Sequence, residues 1–87
     1  VGETAELRAR IEANPDDHQA RLDLALALIG AKDHDAAIEE LLEIVRRDRE
    51  WNEGAAKTQL FNLFDTLGPK DPRAAKGRRR LSSILFA

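Results

Sequence analysis

The sequence predicts an all-α fold, a right-handed antiparallel stack of five helices. Apolar residues recur at spacings of three and four, and prolines, glycines and capping residues divide the chain into five segments. One run, residues 22–28, alternates like a strand, but its intervening alanines and the length of its segment favour a helix. Short connections of about 2 to 6 residues place consecutive helices side by side.

The first helix is predicted over about residues 4–13. Leu7 and Ile11 lie four residues apart and therefore share one face of this helix. Asn14 and Pro15 end it, because a residue that precedes proline avoids the α region of backbone conformation.

The second helix is predicted over about residues 17–31, with Asp16 as its N-cap and Gln19 completing a capping box. Its large apolar residues surround the axis: Leu22, Leu24, Leu26, Leu28 and Ile29. A helix that is apolar all round is normally buried, so we expect this helix to be the most buried of the five. In the alternative interpretation, Leu22, Leu26 and Ile29 line a concave face that holds a hydrophobic partner segment.

The third helix is predicted over about residues 34–48, with Asp33 as its N-cap. Its apolar stripe contains Ala37, Ile38, Leu41, Leu42, Ile44 and Val45. Arg46 and Arg47 occupy the last turn, where positive charge interacts favourably with the helix dipole.

The fourth helix is predicted over about residues 53–67, with Asn52 as its cap and Trp51 stapled against Ala56. The alternative role for Trp51 is that of an exposed binding hot spot. The predicted buried stripe contains Leu60, Leu63, Phe64 and Leu67 and is widened by Phe61. Gly68, which precedes a proline, ends the helix.

The fifth helix is predicted over about residues 72–86. Asp71 supplies a capping carboxylate, and Pro72 occupies the first helical position, where its missing N–H has no cost. The residues expected to face inward are Ala74, Leu81, Ile84 and Leu85.

Composition predicts one small domain, residues 1–87, without disulfides or thiol chemistry, because the chain contains no cysteine. No apolar run approaches the roughly 20 residues of a membrane-spanning helix, and the first residues do not resemble a signal peptide. The chain begins with valine rather than methionine, so we expect it to be a domain of a longer protein. Residues 1–45 carry 4 basic and 11 acidic side chains, a net charge of −7, whereas residues 46–87 carry 10 and 5, a net charge of +5.

This pattern resembles the tetratricopeptide repeat, in which helix pairs recur about every 34 residues and stack on their neighbours. If residues 18–51 form one unit, its small and large packing positions are Ala25, Ala37, Leu24, Leu28 and Leu41. Arg21 stands where the repeat usually has an aromatic residue, and Arg49 stands where it has its terminal proline. One regular unit is thus preceded by half a unit and followed by a divergent pair, and the resemblance implies an interaction scaffold.

A closer resemblance covers about residues 16–86 and rests on three segments. These are residues 41–48 with Trp51, Gly54 and Lys57, residues 63–68 with Asp71, and residues 78–86 with Arg79, Leu81, Ile84, Leu85 and Phe86. Together they resemble the C-terminal helical region of bacterial thioredoxin-like co-chaperones, the chaperedoxins, which ends in an Arg-Arg-x-Leu-x-x-Leu-Leu-aromatic pattern. The resemblance implies a cytoplasmic parent with an upstream thioredoxin domain, which binds unfolded client proteins and passes them to the chaperonin or the Hsp70 system. It also implies that the fifth helix contacts the chaperonin.

The candidate partner-binding residues are Leu22, Leu26, Ile29, Arg73, Lys76, Arg79, Arg80 and Phe86. Arg73, Lys76 and Arg80 share one stripe of the fifth helix, since successive helical residues rotate by about 100°. This basic cluster has three interpretations: a solvated face paired with acidic residues of the third helix, a protein contact, or an anion- or RNA-binding surface over residues 70–80. Nucleic acid is disfavoured by the negative overall charge and by the lack of interleaved exposed aromatic residues.

No residue pattern predicts an enzyme, a metal or a cofactor. His18 and His34 have no neighbouring cysteine or second histidine, and Ser82 and Ser83 have no base placed by the sequence. No glycine-rich phosphate loop is present. We therefore expect a protein-binding domain that avoids membranes and that self-associates if apolar surface is exposed. A generic adaptor repeat of another multidomain protein remains the alternative.

Overall fold

The computed structural model describes residues 3–86, which form five α-helices and one 3-10 turn. The helices are α1 (Glu3–Ala13), α2 (His18–Gly30), α3 (His34–Arg47), α4 (Ala55–Leu67) and α5 (Pro72–Leu85), and the 3-10 turn at Trp51–Gly54 precedes α4. Residues 3–86 contain no strand, so the predicted all-α fold and its five helices are confirmed. Consecutive helices pack against each other, and α3 also contacts α5.

The α1–α2 turn places the N-cap of α2 one residue later than predicted. The side chain of Asp17 accepts a hydrogen bond from the backbone N–H of Ala20 at 3.1 Å, so the predicted capping box of Asp16 and Gln19 is wrong. Asn14 explains the shift, because its side-chain oxygen accepts from the backbone N–H of Asp16 at 3.2 Å. That hydrogen bond holds Asp16 in the turn before the helix.

Helix α3 lies at the centre of the stack and contacts α2, α4 and α5. Its predicted apolar stripe is fully buried, and its predicted cap is confirmed, since Asp33 accepts from the backbone N–H of Ala36 at 3.4 Å. The expectation that α2 is the most buried helix is confirmed, since six of its 13 residues are buried, against six of 14 in α3, four of 13 in α4 and three of 14 in α5. Helix α2 packs closely against α1 and α3, and this arrangement leaves Leu26 42% exposed.

The entry to α4 differs from the predicted helical start. Asn52, Glu53 and Gly54 have φ angles of 49°, 57° and 78°, so three consecutive residues lie in the left-handed region. The predicted cap at Asn52 is therefore wrong, and α4 begins at Ala55 after a glycine N-cap that has no side chain. A left-handed conformation costs an ordinary residue about 1–2 kcal/mol, so this corner stores strain.

Trp51 connects this corner to the core. Its ring is partly buried against the core cluster and makes an edge contact with the ring of His18, with the two centroids 5.7 Å apart. Trp51 therefore contributes to packing between the corner and the first turn of α2, which supports the structural interpretation over the hot spot.

The α4–α5 pair approaches closely at one glycine. A Cβ atom on Gly77 would lie 2.6 Å from Cε1 of Phe64, which is fully buried. The sequence prediction correctly placed Phe64 in the core but wrongly placed Phe61 there, because Phe61 is 51% exposed. Only a residue without a side chain fits between α5 and the ring of Phe64.

Helix α5 begins as predicted. The side chain of Asp71 accepts from the backbone N–H of Arg73 at 2.8 Å, and Pro72 opens the helix. Ala74 and Leu81 are buried, as expected.

Two arginines form hydrogen bonds between elements at positions where the sequence departs from the repeat pattern. Arg21 is only 9% exposed, and its guanidinium donates to Glu40 at 3.0 Å and to the carbonyl of Pro15 at 3.1 Å. Arg49 donates to the carbonyl of Leu85 at 3.1 Å. Hydrogen bonds from arginine thus connect α2 to α3, and the segment after α3 to the end of α5.

Candidate partner-binding surfaces

The predicted apolar candidates on α2 do not share one exposed face. Leu22 belongs to the core at 8% exposure, and Ile29 is partly buried against the core. Leu26 is the member of this set that offers substantial apolar area to a partner. A change at Leu26 should therefore affect binding more than folding.

Leu26 lines a groove of about 360 Å³ between α1 and α2, which we call the α1–α2 groove. The other lining residues are Leu7, Asp23 and Ala27. The carboxylate of Asp23 accepts from the side-chain amide of Gln19 at 2.9 Å and has no cationic partner within residues 3–86. The groove therefore combines an apolar floor with one carboxylate that lacks a counter-charge, and an apolar side chain next to a cation would complement it.

A second groove, of about 430 Å³, lies between α3 and α5. Its lining residues are Asp35, Ile38, Glu39, Pro72, Arg73, Lys76, Gly77 and Arg80. The structure thus brings together Arg73, Lys76 and Arg80, as the helical spacing predicted. Two carboxylates from α3 face these cations, so the groove carries mixed charge.

Most of the α5 cations are neutralised within the fold. Arg80 donates to Glu39, and this hydrogen bond is the main reason why the pKa of Glu39 lies below its ordinary value. Arg73 donates through its side chain and its backbone N–H to Asp71 and holds the pKa of that carboxyl at about 2. The interpretation of a face paired with acidic residues of α3 therefore applies to Arg80, whereas Arg73 pairs with the cap of its own helix.

Arg78 lies at the seam between α4 and α5. The carbon at the centre of its guanidinium is 5.4 Å from the ring centroid of Phe64, and one nitrogen is 3.9 Å from the carboxylate of Asp65. A cation over an aromatic face is attracted by the ring quadrupole, so Arg78 contributes to helix packing.

One stripe of α5 faces away from the rest of the molecule. It consists of Arg79, Ser83 and Phe86, which are all exposed, and we call it the α5 stripe. Arg79 forms no ion pair in the part of the chain that the structure describes, whereas Lys76 lines the α3–α5 groove and helps to lower the pKa of Glu39. Phe86, at 85% exposure, is more exposed than Leu26 or Phe61. A cation without an ion pair, Arg79, and the exposed ring of Phe86 therefore form a contact surface.

The histidine and acidic side chains of residues 3–86 are not gathered in a metal-binding arrangement. These residues contain no group of three or more side chains that could hold a metal ion. The Nδ1 atoms of His18 and His34 are buried without a hydrogen-bond partner in this part of the chain. None of the five helices has the length and the apolar character that crossing a bilayer requires.

Phe61 and Asp23 were missed by sequence reasoning. Phe61 follows the buried Leu60 and precedes the buried Leu63, so spacing alone placed it at the edge of the stripe. Asp23 resembled one of many surface carboxylates, and its place in the α1–α2 groove depends on how α1 packs against α2.

Comparison with known proteins identifies a matching family and three related proteins. A family profile described as a tetratricopeptide repeat matches residues 1–86. An uncharacterized protein of Mycobacterium bovis and two uncharacterized proteins of Mycobacterium tuberculosis are each 34% identical to the chain over 71 residues. Each match covers 82% of this chain and 23% of the relative, so the chain spans about a quarter of the length of these curated relatives.

Proposed function

Since the chain belongs to the tetratricopeptide repeat family, we propose that it is the protein-binding module of a bacterial, cytoplasmic thioredoxin-like co-chaperone. Repeats of this kind bind proteins through exposed faces of the helix stack rather than catalysing reactions. In this proposal the module holds unfolded client segments and docks on a chaperonin or an Hsp70 partner. It needs no cofactor of its own.

The α5 stripe is the observation that carries the docking proposal. It places Phe86 beyond the last turn of α5, where Arg49 holds the carbonyl of Leu85. The ring of Phe86 is 85% exposed, so a large apolar area is in contact with water. A partner that covers the ring would remove this area from water. Arg79 lies two helical turns before Phe86 on the same face, so the stripe fits an acidic surface with an apolar pocket.

The client site is smaller than the sequence suggested. Since Leu22 is core and Ile29 is partly buried, Leu26 and the α1–α2 groove provide the apolar surface on this side. A groove of this size accepts one or two apolar side chains, so we propose weak, sequence-tolerant binding of unfolded segments.

The test is binding of the chain to purified bacterial chaperonin and to purified Hsp70, measured by biolayer interferometry. We expect Phe86→Ala to weaken binding to the docking partner at least about tenfold, as expected for an interface hot spot. Phe61→Ala is the matched control, since it removes the same ring from another exposed position, and it should change the affinity less than about twofold. Deletion of residues 78–87 would be a poorer test, because it also removes the buried Leu81.

Binding that is unaffected by Phe86→Ala, or weakened equally by Phe61→Ala, would contradict docking through the α5 stripe. Absence of binding to both chaperones would leave the generic adaptor as the better description of this repeat. The coding region upstream of Val1 provides a second check, because the proposal requires it to encode a thioredoxin-like domain.

An anion- or RNA-binding role receives no specific support. Arg73 and Arg80 donate to carboxylates of this chain, and Arg78 lies over an aromatic ring. Lys76 lies beside Glu39, and Arg79 alone supplies little of the phosphate neutralisation that nucleic-acid binding requires.

A further inference from the structure

We propose that two copies of this chain associate head to tail, with the α5 stripe of one copy seated on the α1–α2 groove of the next. The proposal does not depend on the chaperone assignment. It specifies both contacting surfaces and the head-to-tail direction of the contact. Phe86 is the side chain that enters the groove.

The two surfaces lie on α1–α2 and on α5, at opposite ends of the helices that the structure describes. Helices inside such a stack have neighbours on both sides, whereas the first and last helices have a neighbour on one side. Here α1 packs on α2, and α5 packs on α3 and α4. Each of these two helices therefore presents a face that no other helix of residues 3–86 covers, and another copy can pack there.

The apolar parts of the two surfaces have complementary shapes. Phe86 is a single projecting ring, and the α1–α2 groove is a depression lined by Leu7, Leu26 and Ala27. Burying an aromatic side chain removes roughly 150–250 Å² of surface from water. The contact is otherwise small, so we expect weak association that depends on concentration.

The charges match as well. The groove contains Asp23, which forms no ion pair, and the stripe contains Arg79, which forms no ion pair among residues 3–86. The same separation of charge extends over the chain, because residues 1–45 carry a net charge of −7 and residues 46–87 a net charge of +5. Opposite charges on the two ends favour head-to-tail contact and oppose contact between identical ends.

A head-to-tail contact is heterologous, and it leaves one free groove and one free stripe on every oligomer. Association therefore does not stop at a dimer. The same contact would also cover Phe86, so self-association and docking of a chaperone on the α5 stripe would exclude each other.

The first test is sedimentation equilibrium of the 87-residue chain between about 10 μM and 1 mM, a range suited to a weak interface. We expect the average mass to rise steadily with concentration and to fall when salt is raised. Phe86→Ala and Leu26→Asp should each lower the association constant at least about tenfold, while Phe61→Ala should leave it within about twofold. A chain that stays monomeric throughout would overturn the proposal.

The second test distinguishes head-to-tail contact from other dimers. Phe86→Ala blocks the stripe and Leu26→Asp blocks the groove, so a mixture of these two variants retains one intact interface per pair. We expect the mixture to form a complex of one copy of each and nothing larger. Failure of the mixture to associate, or equal association of either variant alone, would overturn the proposal.

Exchanging the charges of Asp23 and Arg79 tests the same contact without changing the apolar residues of the groove. Asp23→Lys and Arg79→Glu should each weaken association, and the chain with both changes should recover it. Circular dichroism should show unchanged helix content in all variants, because both positions lie on the surface. Lack of recovery in the double variant would show that Asp23 and Arg79 do not meet, which contradicts the proposed register.

Discussion

The helix pairs α2–α3 and α4–α5 solve the same packing problem with different residues. In the first pair the small residues Ala25 and Ala37 are both fully buried, so each helix contributes one small side chain. In the second pair Gly77 lies directly against the large ring of Phe64. Close approach in the α4–α5 pair therefore depends on one residue without a side chain, whereas the α2–α3 pair buries an alanine from each helix.

The two pairs also differ in how charge supports packing. In α2–α3, a guanidinium from Arg21 is buried and bonded to Glu40 and to the preceding turn. In α4–α5, Arg78 remains half-exposed over the ring of Phe64. We therefore expect the stability of the α2–α3 pair to depend on a polar contact, and that of the α4–α5 pair to depend on shape complementarity.

The largest effect is expected from Arg21→Ala, which should lower the free energy of unfolding by about 2–3 kcal/mol. The change leaves the partly buried Glu40 without its cation and opens a cavity between α2 and α3. Urea denaturation of the chain followed by circular dichroism measures this loss. The double variant Arg21→Leu with Glu40→Leu should recover most of it, because neither partner is then left as an unpaired charge.

Gly77→Ala should lower the free energy of unfolding by about 2 kcal/mol, because the new methyl group overlaps the ring of Phe64. Gly30→Ala is the matched control: a Cβ there meets nothing within 4 Å, so the change should be neutral or slightly stabilising. Combining Gly77→Ala with Phe64→Leu should cost less than the sum of the single changes. Additive costs would show that α5 does not approach α4 as closely as described.

Strained turns provide a third comparison. The α2–α3 connection has one non-glycine residue with positive φ, Lys32 at 64°, whereas the corner before α4 has Asn52 and Glu53. Lys32→Gly and Glu53→Gly should each raise the free energy of unfolding by roughly 0.5–1 kcal/mol, because glycine adopts this region without strain. The same substitution at Glu12, on the exposed surface of α1, should instead cost about 1 kcal/mol. Destabilisation by Glu53→Gly would show that the corner is not left-handed in solution.

The sequence was sufficient for the parts of the fold that depend on local chemistry. The caps at Asp33 and Asp71 were predictable because an acceptor side chain stands immediately before each helical stripe. The cap of α2 was not, because Asp16 and Asp17 are adjacent and the choice between them depends on Asn14. The local sequence also did not indicate that the three residues 52–54 adopt a left-handed conformation.

The candidate surfaces were only partly predictable, because exposure depends on contacts between helices. Helical spacing correctly grouped Arg73 with Arg80, but their carboxylate partners depend on how each helix begins and packs. Leu22 and Leu26 look equivalent in the sequence. Their different exposure is a property of the assembled stack, and this difference decides which of them can contact a partner.

The smallest effect concerns acid stability and the carboxylate of Glu43. A hydrogen bond from Arg46, with a second from Arg47, lowers the pKa of Glu43 from its ordinary value of 4.5 to about 2. Because the pKa is lower in the folded state, the stabilisation is present above about pH 4.5 and is lost as the pH falls toward 2. The arginines are partly exposed and screened by solvent, so we expect only about 0.5 kcal/mol.

Glu43→Gln should remove this contribution at pH 7 and flatten the fall in stability between pH 4.5 and 2. Urea denaturation of both proteins at a series of pH values measures the difference. Glu12→Gln, on the exposed surface of α1, is the control and should leave the curve unchanged. A difference between Glu43→Gln and the parent chain that persists undiminished at pH 2 would mean that the glutamine alters packing. The ion pairs of Glu43 with Arg46 and Arg47, which lie within α3, would then contribute nothing measurable to stability.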